Sequence, residues 1–332
     1  MQRPWFRSSN GHLIVFYDFK VSAPPSYHAV YFAGEVERII RRKKISSLTI
    51  VIVPDDNKLL VSRKSREKNE LPDEENHEWR LRNLVISSFS LLTIKPEIFI
   101  CRTRKRAAQI LRYLPGQVYP QNYTVRFPDR VEKGTVLKQR LSREIRGLLR
   151  VSEAALLNAS KWFEERKCVN NKISLTLRES SFSHSRNSDR KEFIKIALYL
   201  KELGFSPFFI PDTESIEVDE LENAAPVFHS AAWCFELRAA AMQISQLNVL
   251  GNNGPAVLPL YLPDCNYMSF GFIDAASKFD LKWQMDYFGL NESLEGKYLG
   301  PGHSLVAEPV SLERFKKELK IFIDNKWVKP EN

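Results

Sequence analysis

The sequence predicts an α/β protein of two doubly wound domains, each a parallel sheet wrapped by helices, with a cleft between them. Three observations carry that prediction. Strand-like and helix-like segments alternate through both halves of the 332 residues, which is the chain order of a doubly wound sheet. Segments such as Leu48–Val53 are continuous apolar runs rather than alternating ones, as expected for strands buried on both faces. Polar loops rich in Gly, Asn and Pro follow the strands, where open parallel sheets hold their ligands.

The first half opens with a strand over Leu13–Asp18. After Pro24-Pro25 a helix is predicted from about Tyr27 to Arg42. Its Val30, Ala33, Val36, Ile39 and Ile40 fall at helical spacing, and its end is cationic, as the helix dipole favours. Leu48–Val53 is the second strand. Residues 57–78 are highly charged and read as a loop. A helix (Trp79–Leu92), a strand (Glu97–Cys101) and a helix (Lys105–Leu114) follow. Residues 115–135 have the Pro, Gly and Asn content of a connector, and amphipathic helices are predicted over Val136–Leu149 and Ser152–Arg166. The domain boundary is placed near 168, giving domains 1–167 and 168–332. In the second half the strands are Lys172–Leu177, Phe205–Ile210 and Asn248–Leu250. The helices are Asp189–Leu203, with an Asp189…Glu192 capping box, Phe235–Leu247 and Leu312–Asn325. No repeat of fixed period is visible.

Composition narrows the function classes. The chain is 43% hydrophobic and 27% charged, ordinary for a soluble globular protein. No apolar run reaches the roughly 18 residues of a membrane span, and Met1–Phe6 lacks the pattern of a signal peptide. Cys101, Cys168, Cys234 and Cys265 are widely spaced, so neither a metal site nor a disulfide framework is expected, and a cytoplasmic protein is. Residues 1–150 carry 29 Lys+Arg against 15 Asp+Glu, a net +14; residues 151–332 carry 20 against 25, a net −5. The first half is therefore the one expected to meet an anionic surface, through Arg41–Lys44, Arg63–Lys68 and Arg102–Arg106; solvated helix faces are the alternative. Its aromatics are not interleaved with the basic clusters, and nucleic acid is not an expected partner.

Three loops of the second half carry candidate ligand chemistry. The first holds Arg178, Glu179, Arg186 and Asn187. Arginine at a strand end, with polar residues ahead of a helix, suits phosphate through bidentate donors and open backbone N–H groups; pairing of Arg178 with Glu179 is the alternative. The second holds Asp212, read either as a contact to a sugar hydroxyl or as a turn residue after proline. The third is Gly251-Asn252-Asn253-Gly254-Pro255. Its glycines permit close ligand approach or positive φ, its asparagines tolerate left-handed geometry and offer donors, and Pro255 can open a helix. Glu236 and Arg238, just before this loop, either point at the site or solvate their helix. In the first half, Asp18 at the end of the first strand and His28 at the head of the next helix are the candidate general bases. Glu179 and Asp212 on neighbouring loops do not by themselves make a glycosidase pair.

Strand–Arg–loop, helix, strand–Pro-Asp, helix and a Gly-Asn-Asn-Gly-Pro turn together resemble the C-terminal domain of GT-B glycosyltransferases, nearest the heptosyltransferase type. Leu177–Glu179, Arg186–Ser188, Glu236–Arg238, Asn252–Pro255 and Trp79–Asn83 are also similar to a bacterial group encoded with surface-polysaccharide genes. The likeness covers 172–262 closely and the first half loosely. It implies two Rossmann-like domains and phosphate contacts at Arg178, Asn252, Asn253 and Gly254. It further implies donor-side roles for Arg186 and Asp212, and a catalytic acid at Asp18. The acidic-Ser pair common in that turn is Asn253-Gly254 here, and the His-rich acceptor motifs of other GT-B groups are absent. GT-B enzymes generally use no metal, consistent with the lack of a DxD motif in the first half.

The resulting expectation is a metal-independent glycosyltransferase, with no cofactor beyond its substrate. It would move a sugar from a nucleotide-sugar donor to a saccharide acceptor, lipid-linked at the inner membrane face, in surface polysaccharide synthesis. A nucleotide-sugar epimerase or hydrolase on the same fold is the alternative, as is a non-catalytic scaffold protein; a nucleic-acid-binding protein ranks last.

Overall fold

The computed structural model describes residues 11–22, 25–56, 74–128, 145–168, 171–180, 184–215, 217–271 and 302–328. The chain forms two compact units, Met1–Val136 and Leu137–Asn332.

In the first unit, β1 (His12–Asp18), α1 (His28–Lys43) and β2 (Ser47–Val53) follow one another. Then come α2 (Glu74–Arg80), a π turn over Leu81–Ile86, a 3-10 turn over Phe89–Leu91, β3 (Glu97–Ile100), α3 (Arg104–Tyr113) and β4 (Gln117–Tyr119). The sheet order is β3-β2-β1-β4, and every pairing is parallel. Helix α1 buries Val30, Ala33, Val36, Ile39 and Ile40, the stripe its spacing predicts. It also buries Glu37, whose carboxylate accepts the Thr93 N–H at 3.0 Å, the Thr93 hydroxyl at 2.9 Å and the Arg41 Nε–H at 2.8 Å. Those bonds satisfy an otherwise costly buried charge and fix the approach to β3.

Three expectations change here. The charged loop ends before Glu74, where α2 begins; its residues 57–73 lie outside those described. The helix read over Trp79–Leu92 widens into the π turn, where Asn83 Nδ2 donates to the Trp79 carbonyl at 2.9 Å. The connector at 115–135 contains β4, too short at three residues to show a period.

In the second unit, α4 (Glu153–Glu165), β5 (Lys172–Thr176), α5 (Arg190–Glu202), β6 (Ser206–Ile210), α6 (Asp219–Ala224), α7 (His229–Trp233), α8 (Phe235–Ile244) and β7 (Leu247–Leu250) come first. A 3-10 turn over Gly254–Val257, α9 (Leu258–Tyr261), β8 (Tyr267–Ser269), β9 (His303–Leu305) and α10 (Leu312–Asp324) complete it. The order is β6-β5-β7-β8-β9, again parallel throughout. Phe193, Ile196, Ala197 and Leu200 of α5 share a core with Phe315, Leu319 and Phe322 of α10. Asp189 caps α5 by accepting the N–H groups of Lys191 and Glu192 at 3.0 and 3.2 Å. Glu192 does not close the box; it accepts the Leu312 N–H at 2.7 Å and so ties α10 to α5.

Within the second unit α4 packs on α8, and Ser152 Oγ donates to Glu236 at 2.9 Å. Of the helix expected over Val136–Leu149, residues 136–144 lie outside those described, and 145–149 form turns. Both units are thus α/β layers on parallel sheets, the fold class the alternation predicts. Among the described residues no helix is long and apolar enough to cross a membrane.

Candidate functional site

An open parallel sheet leaves a crevice at the carboxyl ends of two neighbouring strands whose connections leave in opposite directions. In the second unit those strands are β5 and β7, paired from Ile173↔Leu247 to Thr176↔Leu250. The loops that leave them are 177–189 and 251–255, which carry most of the candidate residues.

The described residues of loop 177–189 are tied together by their own hydrogen bonds. The Arg178 N–H donates to Ser188 Oγ at 2.9 Å, and the Ser188 N–H returns a bond to the Arg178 carbonyl at 2.8 Å. Asn187 braces the loop from within. Its Oδ1 accepts the Ser180 N–H at 3.2 Å and the Arg178 guanidinium, while its Nδ2 donates to the Ser180 carbonyl at 3.0 Å. Arg178 is buried, with its guanidinium oriented by that amide. Arg186 crosses to the second loop, donating from Nη2 and Nε to the Asn252 carbonyl at 2.8 and 3.1 Å. Two guanidinium groups and the Asn252–Asn253 turn therefore stand together at the switch point.

The turn is built differently from the expectation. Gly251, Asn252, Asn253 and Gly254 are not among the positive-φ residues, and Asn253 is extended at φ −127° and ψ 165°. Pro255 does sit in the first turn of the helical segment that opens at Gly254. A Cβ on Gly251 would meet Ser188 Oγ at 3.6 Å, an ordinary contact. The chain's own packing thus does not demand glycine at 251. Asn253, also buried, donates from Nδ2 to the Thr176 carbonyl at 3.4 Å.

The acidic candidates are engaged within the protein. Asp212 Oδ2 accepts the Glu179 N–H at 3.0 Å, and Oδ1 accepts the Thr213 N–H at 2.7 Å. Glu179 holds Arg190 Nε at 2.7 Å and the Ser215 hydroxyl. The carboxylates thereby fasten the loop after β6 to the loop after β5. Glu236 accepts the Ser152 hydroxyl. Arg238 neither solvates its helix nor lies open: it is 4% exposed and donates to the carbonyls of Ala231, Ala232 and Pro211 at 2.9, 3.2 and 3.3 Å. Those bonds satisfy carbonyls at the end of α7 and fix Pro211 ahead of Asp212.

In the first unit Asp18 lies at the matching position, where β1 is flanked by β2 and β4. It is 2% exposed. Arg104 donates to it from Nη1 and Nη2, both at 2.8 Å, the Tyr123 hydroxyl at 2.6 Å and the Lys20 N–H at 2.9 Å. A carboxylate has about four acceptor positions, and these bonds use them. Burial opposes the Arg104 charge, but the hydrogen bond and charge of Asp18 outweigh it and raise the Arg104 pKa. Burial first, and then the Asp18 charge, push the Tyr123 phenol up, so it remains a donor. The sequence carries no local sign of this clasp, because Asp18 with Lys20, Arg104 and Tyr123 come from three separate segments. His28 is exposed at the head of α1, with Nδ1 3.0 Å from Ser26 Oγ. Among the described residues no group of three or more His, Cys, Asp or Glu is arranged to hold a metal ion.

The chain matches no protein-family model and no curated protein. Three solved structures to which it is similar are glycosyltransferases. One is a glycosyl transferase family 9 protein from Veillonella parvula, at 14% identity and TM-score 0.47, covering 95% of this chain and 92% of that one. Another is the E. coli heptosyltransferase WaaC with ADP, at 9% identity and TM-score 0.41, covering 93% and 99%. The third is POFUT1 in complex with GDP-fucose, at 10% identity and TM-score 0.38, covering 90% and 99%.

Proposed function

We propose that the chain is a glycosyltransferase whose second unit holds a nucleotide-sugar donor and passes the sugar to a saccharide acceptor. One observation carries this reading. Arg178 and Arg186 lie on a loop whose described residues are tied by their own bonds, beside a turn whose Gly251 the protein's packing does not require, at the sheet's switch point. Planar guanidinium groups match phosphate oxygens bidentately. Fixed donors aimed at a departing nucleoside diphosphate stabilise the charge that develops as the glycosidic bond breaks. That stabilisation needs no metal or resident cofactor.

The acceptor is the finer part of the proposal. A lipid-linked saccharide at an anionic membrane surface suits the net positive charge of residues 1–150; the proposed setting is surface polysaccharide synthesis, with the enzyme cytoplasmic and peripheral to the membrane. Of the two candidate bases, His28 receives the role, since the acceptor positions of Asp18 are occupied. The test is incubation with UDP-, GDP-, ADP- and CMP-sugars, with and without saccharide acceptors. Release of nucleotide that depends on the acceptor supports transfer. Turnover without an acceptor would replace the reading by an epimerase or hydrolase. Failure of every nucleotide sugar to bind would overturn it.

A further inference from the structure

β5 has a feature that the donor-site reading does not use. Thr176, its last residue, is 0% exposed, and its Oγ1 is buried without a hydrogen-bond partner. Asn253, from the loop after β7, is 8% exposed, and its Oδ1 is likewise buried without a partner. The two residues touch, because Asn253 Nδ2 donates to the Thr176 carbonyl at 3.4 Å. That bond fixes which end of the amide faces away. Two unpaired polar atoms on contacting residues, at the place where the strand connections of this sheet diverge, call for a shared partner.

We propose that Thr176 and Asn253 form a hydroxyl-recognising floor beneath the Gly251–Pro255 turn, occupied by an alcohol group of the ribose or the sugar. This rests on the donor-site reading above. The chemistry selects the group. Asn253 Oδ1 can only accept, so its partner must donate, and a fully ionised phosphate oxygen has no proton to give. Thr176 Oγ1 can donate in return. A hydroxyl satisfies both, one bond each way. Both atoms are enclosed, so a ligand hydroxyl reaches them as the turn shifts, and the two recovered bonds favour the shifted arrangement. A site that pairs a substrate hydroxyl in this way rejects analogues lacking it far more strongly than an apolar pocket discriminates by size.

The test uses Thr176→Val, which keeps the β-branched shape and removes only the hydroxyl, with Thr176→Ser as the variant that retains it. Calorimetry on the full chain compares inorganic pyrophosphate, which has no alcohol group, with the nucleoside diphosphates and nucleotide sugars of the four classes above. The expected result is that Thr176→Val weakens the best alcohol-bearing ligand at least tenfold and leaves pyrophosphate unchanged, while Thr176→Ser binds both like the natural chain. Equal affinities for the Val variant and the natural chain would overturn the floor and leave an enclosed water as the occupant. Parallel weakening of pyrophosphate would also overturn it. If the natural chain binds none of these ligands, the donor-site reading itself fails, and the floor with it.

Discussion

At the scale of single residues, the most informative side chain is Asp18. As a base it would need an open lone pair; as a clasp it gathers Arg104, Tyr123 and Lys20. Asp18→Asn removes the charge and leaves the part-buried Arg104 guanidinium without its countercharge, so the first unit is expected to lose about 2 kcal/mol in urea unfolding. Unchanged stability with lost activity would return Asp18 to catalysis. Gly251→Ala behaves oppositely. Because a Cβ there meets only an ordinary contact, unfolding free energy should move by less than about 0.5 kcal/mol while nucleotide affinity falls. The sequence exposed Arg178, Arg186 and the 251–255 turn as candidates because residue type and position after a strand suffice for that. It did not expose the inward use of Glu179, Asp212 and Arg238, since their partners, side chains for Glu179 and mainly backbone groups for the other two, are brought near only by the fold. Ser174 and Thr176, polar at alternate positions of a buried strand, were the available sign of a polar floor.

At the scale of elements, the long strands and helices were legible because each offers at least one full period of burial. The three-residue strands β4, β8 and β9 were not, since three residues carry no pattern and pairing alone defines them. The β8–β9 edge has a demand of its own. Gly302 has φ +81°, and a Cβ there would overlap Asn266 Oδ1. Asn266 Nδ2 in turn donates to the carbonyls of Gln246 and Trp327, both at 2.9 Å. Gly302→Ala is therefore expected to cost about 2 kcal/mol or more, read as a lower midpoint of chemical unfolding. Asp189→Ala, which removes only a helix cap, should cost about 1 kcal/mol.

At the scale of the whole molecule, acid sensitivity should be traceable to the second unit. Burial first, and then the nearby Arg146 charge, pull His303 down to about 3, against the opposing hydrogen bond to the Cys265 carbonyl. Unfolded histidine titrates near about 6.5. Between those values the unfolded chain binds the extra proton, so stability is present above pH ~6.5 and is lost as the pH falls toward 3, by at most about 1.4 kcal/mol per pH unit from this group. His303→Gln should flatten that slope in unfolding measured at successive pH values. The charge asymmetry between the two halves was visible in the sequence alone, and sedimentation with anionic vesicles, weakening as salt rises, is the outcome expected if the basic half meets a membrane.

The central claim is that the switch point between β5 and β7 binds the diphosphate of a nucleotide sugar. Isothermal calorimetry of the natural chain, Arg178→Ala and Arg186→Ala against the best-binding nucleotide sugar tests it most directly. The natural chain is expected to bind, and each variant to bind at least tenfold more weakly, about 1.4 kcal/mol apiece, while still folded by circular dichroism. Equal affinity for all three proteins would contradict it.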